Sequence, residues 1–403
     1  MVHQIMPTKI RPAPAASSKS NVMVSLWLGL VLLIVGSLAG CGSAPIVRTP
    51  LPERAPGSAA VPAPAAPARA NASTFAPGKS RWVPVDWSAL PGFGEEGLHE
   101  AWGAWIRSCE KPAPGFAGLC SEVRRLSIQE ASAQAQWMQQ RLQPYRVESL
   151  QGDAQGLLTG YFEPVVDGSR TPTTEFTVPL YQVPATLGRR KPWYTRQEMD
   201  TLPEAQAALQ GRVIAYLADP VDAQVLQIQG SGRVRLVQAD GSARWMRLGY
   251  AGTNDHPYRS AGRWLLDQGL ARDASWAGIK AWAQQNPQRQ QELMWVNPRV
   301  IFFRELPAED ADPSAGPRGA QGVALTAGRS IAVDPGSIPY GTPVWLSSAG
   351  PAGNLQKLVL AQDTGHAIAG AVRADYFVGT GIAAGDAAGR LRQGLQMWVL
   401  WPK

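Results

Sequence analysis

Glycine and proline are frequent along the whole chain, and they limit what it can fold into. The 403 residues include 41 glycines and 34 prolines. Proline removes a backbone hydrogen-bond donor and glycine weakens helix interiors, so both favour turns over long helices. Because 45% of the residues are apolar, the chain can still bury a core. We therefore expect short strands joined by turns, in two or three domains.

The N-terminus predicts an export signal rather than part of a fold. Residues 1–21 are polar with three positive charges, and residues 22–40 are almost wholly apolar. The apolar run ends in Leu38-Ala39-Gly40-Cys41, which resembles a bacterial lipobox, so we expect cleavage after residue 40 and lipidation of Cys41. An uncleaved anchor is the alternative, because about nineteen apolar residues could span a bilayer.

The residues after Cys41 predict where the protein is held and how. Position 42 is Gly and not Asp, which by resemblance to lipoprotein sorting signals favours the periplasmic face of the outer membrane of a Gram-negative bacterium. Residues 44–78 are rich in Pro and Ala and predict an extended tether. Residues 41–79 are thus expected to be an anchor and tether, with the folded part beginning near residue 80.

Charge, cysteines and histidines exclude several classes of site. The net charge of +7 includes +3 from residues 1–40, which leaves +4 from Cys41 onward. This suits an anionic polymer but is too sparse for nucleic acid. With Cys41 lipidated, Cys109 and Cys120 form an even pair, and export favours a disulfide over two free thiols. The four histidines show no ligand spacing, so we predict no metal site and no cofactor.

Three segments predict helices. The first covers residues 98–106. The second follows Ser127-Ile128-Gln129-Glu130, a capping-box pattern, and runs to about Leu142. In the third, Asp273 is the expected N-cap of a helix that carries Trp276 and Ile279.

The segment 226–236 predicts a β-hairpin. Leu226-Gln227-Ile228-Gln229 and Arg233-Val234-Arg235-Leu236 both alternate apolar and polar residues, and Gly230-Ser231-Gly232 between them suits a turn. Alternation would place amides and guanidiniums on one face, which suits a hydroxyl-rich ligand. An ordinary solvent-facing surface is the alternative.

The C-terminal segment predicts strands separated by turns. Residues 330–333, 342–346 and 358–362 are the expected strands, and the last leads into Asp363. Asp334-Pro335-Gly336 has type II turn chemistry. The glycines of residues 379–385 lack the spacing and the preceding long strand of a dinucleotide loop.

These motifs together carry a resemblance. The first group is Gly160-Tyr161-Phe162-Glu163-Pro164, Gln229-Gly230-Ser231-Gly232, Tyr250-Ala251-Gly252-Thr253-Asn254 and Asn297-Pro298-Arg299-Val300-Ile301-Phe302-Phe303. In order and spacing it resembles the membrane-bound lytic murein transglycosylase A family. The end of the chain resembles that family's three-aspartate domain, through Asp334-Pro335, Ile338-Pro339-Tyr340-Gly341-Thr342, Asp363-Thr364-Gly365 and Arg373-Ala374-Asp375-Tyr376-Phe377.

The resemblance implies a mainly β fold and a domain plan. A double-psi β-barrel is expected from residues 80–164 and 296–403, and a second, glycan-binding β-domain from the inserted residues 165–295. The glycan strands of peptidoglycan would lie between the two domains. Complexes with cell-wall synthesis or division proteins stay open as further partners.

The resemblance also implies the reaction and the residues that carry it out. A lytic transglycosylase cleaves the β-1,4 bond between N-acetylmuramic acid and N-acetylglucosamine and forms 1,6-anhydromuramic ends. Asp375 matches the family's catalytic acid, and Asp363 is the expected second carboxylate. The expected substrate-binding residues are Tyr161, Gln229, Ser231, Tyr250, Asn254, Arg373 and Asp334, although a structural role for Asp334 is the favoured alternative. Many relatives have an acidic residue soon after Gly381, where this chain offers only Asp386.

Two other functions fit the same sequence. Double-psi barrels also serve as binding modules, so a non-catalytic peptidoglycan-binding lipoprotein is the first alternative. The second is a hydrolytic muramidase that uses the same site, since most glycosidases employ a pair of carboxylates.

Overall fold

The computed structural model describes residues 74, 78–95, 97–238, 240–307 and 315–403. The predicted signal peptide, Cys41 and most of the predicted tether lie outside the described residues. Within the described ranges, no helix combines the length and the apolar character needed to cross a membrane.

Short strands and short helices alternate along the described chain, as expected for a mainly β fold. The strands are β1 (Arg81–Pro84), β2 (Leu142–Glu148), β3 (Gly156–Glu163), β4 (Val165–Ser169), β5 (Val178–Tyr181), β6 (Val213–Leu217), β7 (Gly232–Val237), β8 (Ala243–Thr253), β9 (Ile301–Glu305), β10 (Ser330–Val333), β11 (Pro343–Ser348), β12 (Leu355–Asp363), β13 (Arg373–Thr380) and β14 (Arg392–Pro402). The helices are α1 (His99–Ser108), α2 (Cys120–Arg125), α3 (Ala131–Arg141), α4 (Arg196–Thr201), α5 (Pro203–Leu209), α6 (Pro220–Gln229), α7 (Ala261–Asp267), α8 (Trp276–Gln285), α9 (Gln290–Trp295) and α10 (Ile382–Arg390).

The first sheet closes on itself as a barrel. Its hydrogen-bonded order is β1-β2-β14-β11-β12-β10-β13-β3, and β14 also pairs with β3. The strands from β14 round to β3 thus form a closed six-stranded ring, which removes open sheet edges. The ring combines strands from both ends of the described chain, and its interior is filled by apolar side chains such as Leu158, Ile331 and Tyr376. The double-psi connectivity stays a prediction.

The second sheet consists of the strands between β3 and β10. Its order is β5-β6-β4-β7-β8-β9. One side of this sheet packs with α6 around Leu226, Val234 and Leu248. A further cluster joins α6 to α7, α8 and α9.

Helices α1, α2 and α3 cover the outside of the barrel with aromatic side chains. Trp102, Trp105 and Trp137 contact one another with ring centroids 5.2–6.0 Å apart. They belong to a buried cluster that also contains Trp345 and Trp398 from the barrel. A disulfide between Cys109 and Cys120, with a Cα–Cα distance of 5.6 Å, joins the end of α1 to the start of α2.

The predicted hairpin is wrong in its first half. Residues 220–229 form the helix α6, and only the second half is a strand. Asp219 caps the helix by accepting a hydrogen bond from Val221 N, Pro220 occupies the first turn, and Gly230 ends it with φ of +75°. These are ordinary start and stop signals of a helix. The alternation of apolar residues and glutamines was a weaker signal than the caps.

Three local predictions also need correction. The helix α3 exists, but Glu130 is its N-cap and makes no side-chain cap bond, so the capping box is wrong. Ser275 and not Asp273 caps α8, while Asp273 accepts hydrogen bonds from Ser275. A turn does follow Asp334, but Gly336 lacks the positive φ that a type II turn requires.

Candidate active site

One row of side chains crosses the outer wall of the barrel. On β10, Ala332 pairs with Asp363 of β12 on one side and with Asp375 of β13 on the other. Asp375 in turn pairs with Thr159 of β3. Residues paired across adjacent strands point to the same face of a sheet, so the two carboxylates and the threonine share a face. The Cα atoms of the two aspartates lie two strand spacings, or about 10 Å, apart.

The wall leaves this row outside the barrel core. Ala374 and Tyr376, the neighbours of Asp375 along β13, point into the barrel. Asp375 is therefore directed outward, and it is partly buried. The packing of Tyr161 against Phe377, with ring centroids 5.3 Å apart, supplies an apolar floor beside the two carboxylates.

Asp375 is held by one short hydrogen bond. The Thr159 hydroxyl donates to Asp375 Oδ1 at 2.5 Å, and it accepts from Arg373 Nη2 at 2.8 Å. Burial raises the pKa of the Asp375 carboxyl, while the bond from Thr159 and the charge of Arg373 lower it; the net shift is upward. Arg373 also donates to the Ala374 carbonyl oxygen. The arginine thus reaches the carboxylate through Thr159.

Asp363 is held much more firmly. Its Oδ2 accepts from the Tyr161 hydroxyl at 2.9 Å, and its Oδ1 accepts from Ala320 N at 2.9 Å. Burial and the charge of Asp375 raise the pKa of Asp363, against the lowering effect of the hydrogen bonds from Thr364 N, Ala320 N and Tyr161. Two nearby carboxylates resist joint ionisation, so the pair retains a proton to a higher pH than isolated aspartates would.

Asp334 supports the loop that joins the two other aspartates. It is 3% exposed, and its oxygens accept from Gly336 N, Gly370 N and the Lys79 ammonium, each at 2.9 Å. Burial alone would raise the pKa of Asp334, but these bonds outweigh it and the pKa is lowered. Both oxygens are occupied by the fold. This corrects the expectation of a substrate contact in favour of the structural alternative.

The other predicted substrate-binding residues separate into two groups. Gln229 ends α6 and accepts a hydrogen bond from Phe162 N at 3.2 Å, so it lies against β3 beside the site, followed by the partly buried Ser231. Tyr250 is half exposed on β8. By contrast, Asn254 is fully buried and donates to the Tyr194 and Pro298 carbonyl oxygens.

Asn254 is therefore a structural residue. Its side-chain oxygen also accepts from Val300 N at 2.9 Å, which fixes the end of β8 against the segment before β9. The expected contact between Asn254 and a substrate is wrong, because its polar atoms face the protein interior. Asp386 is exposed on α10.

A buried ion-pair cluster joins the barrel to the second sheet. Glu163, at the end of β3, is fully buried and pairs with Arg233 at 2.8 Å and Arg247 at 3.0 Å. The two arginines face each other across β7 and β8. Both also donate to the Ala315 carbonyl oxygen. This cluster fixes the second sheet to the end of β3, the strand that carries Thr159.

Thr159 and Glu163 are the site residues that the sequence analysis missed. Glu163 lies in a motif already singled out, and a buried acid in an otherwise apolar strand would have been a usable signal. Thr159 gives no local signal, because its contact with Asp375 spans 216 residues of sequence. Among the residues that the structure describes, no group of three or more His, Cys, Asp and Glu side chains could hold a metal ion.

Comparison with known proteins places this geometry in a family. Residues 157–304 match the MltA specific insert domain, and residues 329–401 match the 3D domain. Membrane-bound lytic murein transglycosylase A of Escherichia coli (strain K12) is 32% identical over 252 residues. That alignment spans 60% of this chain and 64% of the relative, which is less than two thirds of its length.

Solved structures extend the similarity over more of the chain. A Burkholderia pseudomallei structure described as the lytic transglycosylase LtgG is 42% identical, covers 80% of this chain and 95% of that one, and has a TM-score of 0.59. A Neisseria gonorrhoeae MltA structure is 30% identical, covers 82% and 94%, and has a TM-score of 0.69. This chain belongs to the membrane-bound lytic murein transglycosylase A family.

Proposed function

We propose that this protein is a lytic transglycosylase that cleaves peptidoglycan strands between N-acetylmuramic acid and N-acetylglucosamine. The observation that carries the proposal is the environment of Asp375. Its carboxyl lies on an outward face of the barrel wall, is held by a single side-chain bond, and has a raised pKa. A carboxyl that retains its proton can act as a general acid.

In the proposed reaction, Asp375 serves twice. It first protonates the glycosidic oxygen as the bond to the N-acetylglucosamine leaving group breaks. As a carboxylate, it then takes the proton from the muramic acid 6-hydroxyl, whose oxygen bonds to the anomeric carbon of the same sugar. The product is a 1,6-anhydro ring, and Asp375 regains its proton. Intramolecular attack needs no water molecule and gains from high effective molarity.

Asp363 is proposed to orient and charge the site rather than to exchange protons. Its two oxygens are occupied by Tyr161 and Ala320 N, which would hinder its action as a base for a water molecule. Because the charge of Asp375 disfavours ionisation of Asp363, the two carboxyls titrate as a coupled pair that can keep one proton. We propose that Gln229, Ser231 and Tyr250 contact the glycan beside the two aspartates.

The test of the proposed mechanism is Asp375→Asn. Asparagine keeps the shape and can still accept from Thr159, but it cannot donate and recover a proton. We expect release of 1,6-anhydromuropeptides from purified sacculi to fall by at least roughly 10²–10⁴-fold. Binding of murein fragments and the melting temperature should stay near those of the unaltered protein. An active Asp375→Asn variant would place the chemistry on another residue.

The products distinguish the proposal from the alternatives. The pair Asp363 and Asp375 is the specific feature that favours a hydrolytic muramidase, because hydrolysis commonly uses two carboxylates. A muramidase would release reducing muramic ends instead of anhydro ends. Intact strands after incubation with the unaltered protein would favour a binding module.

We also propose that the protein is lipid-anchored in the outer membrane through Cys41. The Leu38-Ala39-Gly40-Cys41 motif and the membrane-bound relatives support this. In Cys41→Ala, we expect an unprocessed, unlipidated precursor, detected as a larger band without label from a radioactive fatty acid. Cys109→Ser serves as the matched control and should be processed and labelled normally. Normal processing of Cys41→Ala would refute the anchor.

A further inference from the structure

We propose that Gln362 is a positioning residue. It creates the β-bulge that brings Asp363 onto the same face of the barrel wall as Asp375 and Thr159. This inference rests on the proposed function and names a part of its machinery that lies behind the site. The Gln362 side chain bonds neither to the two aspartates nor to the groups that hold them. It acts through the backbone that precedes Asp363.

The register of β10 and β12 shows the bulge. Ser330 pairs with Leu360 and Ile331 with Ala361, but Ala332 pairs with Asp363. Gln362 is the extra residue. In a regular ladder, Ala332 would pair with Gln362, and Asp363 would point to the opposite face, into the barrel. A bulge re-aims a side chain in this way.

The side chain of Gln362 is locked on the outer side of the wall. It is fully buried, and its oxygen accepts from the Ser330 hydroxyl at 2.5 Å. Its amide donates to the Ala104 carbonyl oxygen at 2.9 Å and to the Ser108 hydroxyl at 2.8 Å. Ala104 and Ser108 are one turn apart on the same face of α1, so this helix holds the bulge in place.

The backbone of the bulge is held as well. The Gln362 carbonyl oxygen accepts from Gln321 N at 3.0 Å, and the Gln321 side chain donates to the Lys111 carbonyl oxygen at 2.8 Å. Ala320, the residue before Gln321, supplies the N–H that binds Asp363 at 2.9 Å. The segment that holds the bulge therefore also holds the carboxylate.

A regular strand would be the stable alternative if Gln362 lost its partners. Burying an amide without partners costs free energy, and an apolar residue at position 362 would make no hydrogen bond that stabilises the bulge. Asp363 would then lose its place beside Asp375. The repulsion between the two carboxylates would then be lost from the site without any change to either aspartate.

The test compares the pH dependence of anhydromuropeptide release in Gln362→Met, Asp363→Asn and the double variant. Methionine has a similar volume and makes none of the three bonds. Activity of the unaltered protein should fall on the alkaline side as Asp375 ionises. In Gln362→Met, we expect this fall to move to lower pH, by up to about one pH unit, as in Asp363→Asn. The double variant should behave like Asp363→Asn alone, because both changes remove the same interaction.

Gln393→Met is the matched control. Gln393 is also buried, and its amide donates to the Ser348 hydroxyl and the Gly353 carbonyl oxygen, each at 3.0 Å. Gln393 lies on β14, and its side-chain bonds go to the end of β11 and to the loop before β12, away from the bulge. Its variant should therefore lose stability without moving the pH profile. Ser108→Ala, which removes one bond, gives a milder test if Gln362→Met does not fold, and it should move the fall in the same direction.

The outcomes separate this inference from the proposed function. A shifted profile in Asp363→Asn but an unshifted one in Gln362→Met and Ser108→Ala overturns the positioning role and leaves the function intact. Additive shifts in the double variant also overturn it. Absence of anhydro products from the unaltered protein would overturn the proposed function itself.

Discussion

At the scale of single residues, the acid of this site is tuned by two neighbours with opposite effects. Thr159 donates to the Asp375 carboxylate and stabilises its charged form, which lowers the pKa. When both are ionised, Asp363 and Asp375 repel each other; this repulsion raises the pKa of Asp363, and in a coupled pair it disfavours the joint ionisation of both carboxyls. The balance leaves Asp375 with a raised pKa because burial also disfavours the charge.

These opposite effects predict opposite shifts in the pH profile. Thr159→Val removes the hydrogen bond at nearly constant volume, so the pKa of Asp375 should rise and activity should persist to higher pH. Asp363→Asn removes the repulsion between two carboxylates whose Cα atoms lie about 10 Å apart. The pKa at which the acid ionises should therefore fall, and activity should be lost at lower pH, by about one unit. Anhydromuropeptide release from sacculi between pH 4 and pH 9 measures both.

Thr364→Val is a suitable control for these two variants. Its hydroxyl donates to the Val333 carbonyl oxygen at 2.8 Å and does not bind Asp375, so its alkaline limb should coincide with that of the unaltered protein. If Thr159→Val and Asp363→Asn moved the limb in the same direction, the assignment of Asp375 as the titrating acid would be wrong.

At the scale of elements, the sequence predicted the C-terminal strands well, but it predicted neither the helix α6 nor the bulge in β12. The predicted strand at residues 330–333 coincides with β10, and the one at residues 358–362 lies within three residues of both ends of β12. Residues 226–229 alternate like a strand but belong to α6, because the start and stop signals of the helix outweigh so short an alternation. The bulge at Gln362 could not be predicted, since it depends on bonds to Ala104 and Ser108, which are more than 250 residues away in sequence.

In the candidate site, the residues could be predicted from the sequence, but their positions relative to one another could not. Asp363 and Asp375 are predicted as site residues from the motifs in which they occur, and the structure places both on one face of the barrel wall. Their relation to each other was not predictable, because it arises from the separate pairing of each strand with β10. Gln229 is predicted on a polar strand face, yet it ends a helix and accepts a hydrogen bond from Phe162 N beside the site.

At the scale of the whole molecule, one buried carboxylate joins the two sheets. Glu163 pairs with Arg233 and Arg247, none of which is more than 11% exposed in its side chain. In Glu163→Gln, two buried guanidiniums would lose their counter-charge, so we expect a loss of about 3–5 kcal/mol in the free energy of unfolding. Denaturant unfolding followed by tryptophan fluorescence measures it.

Asp167→Asn provides the matched control for this joint. Asp167 pairs with Arg235 at 2.6 Å between β4 and β7, but both side chains are nearly half exposed. Solvent screening limits such a pair to less than about 1 kcal/mol. Equal losses in Glu163→Gln and Asp167→Asn would show that burial of the Glu163 cluster does not matter for stability.

The discontinuous barrel has a consequence for how the chain must be made. β3 pairs with β13 and β14, and Asp375 of β13, the partner of Thr159, lies 216 residues further along the sequence. A chain that is synthesised from its N-terminus therefore displays β3, and the side of β2 that does not pair with β1, as open edges until its last strands are made. Closing so long a loop is slow. The helices α1 to α3 and the Cys109–Cys120 bond, which spans only 11 residues, need no such wait. Synthesis that stops before β13 would leave a half-barrel with open edges, a form that is prone to aggregate and suited to removal by chaperones and proteases.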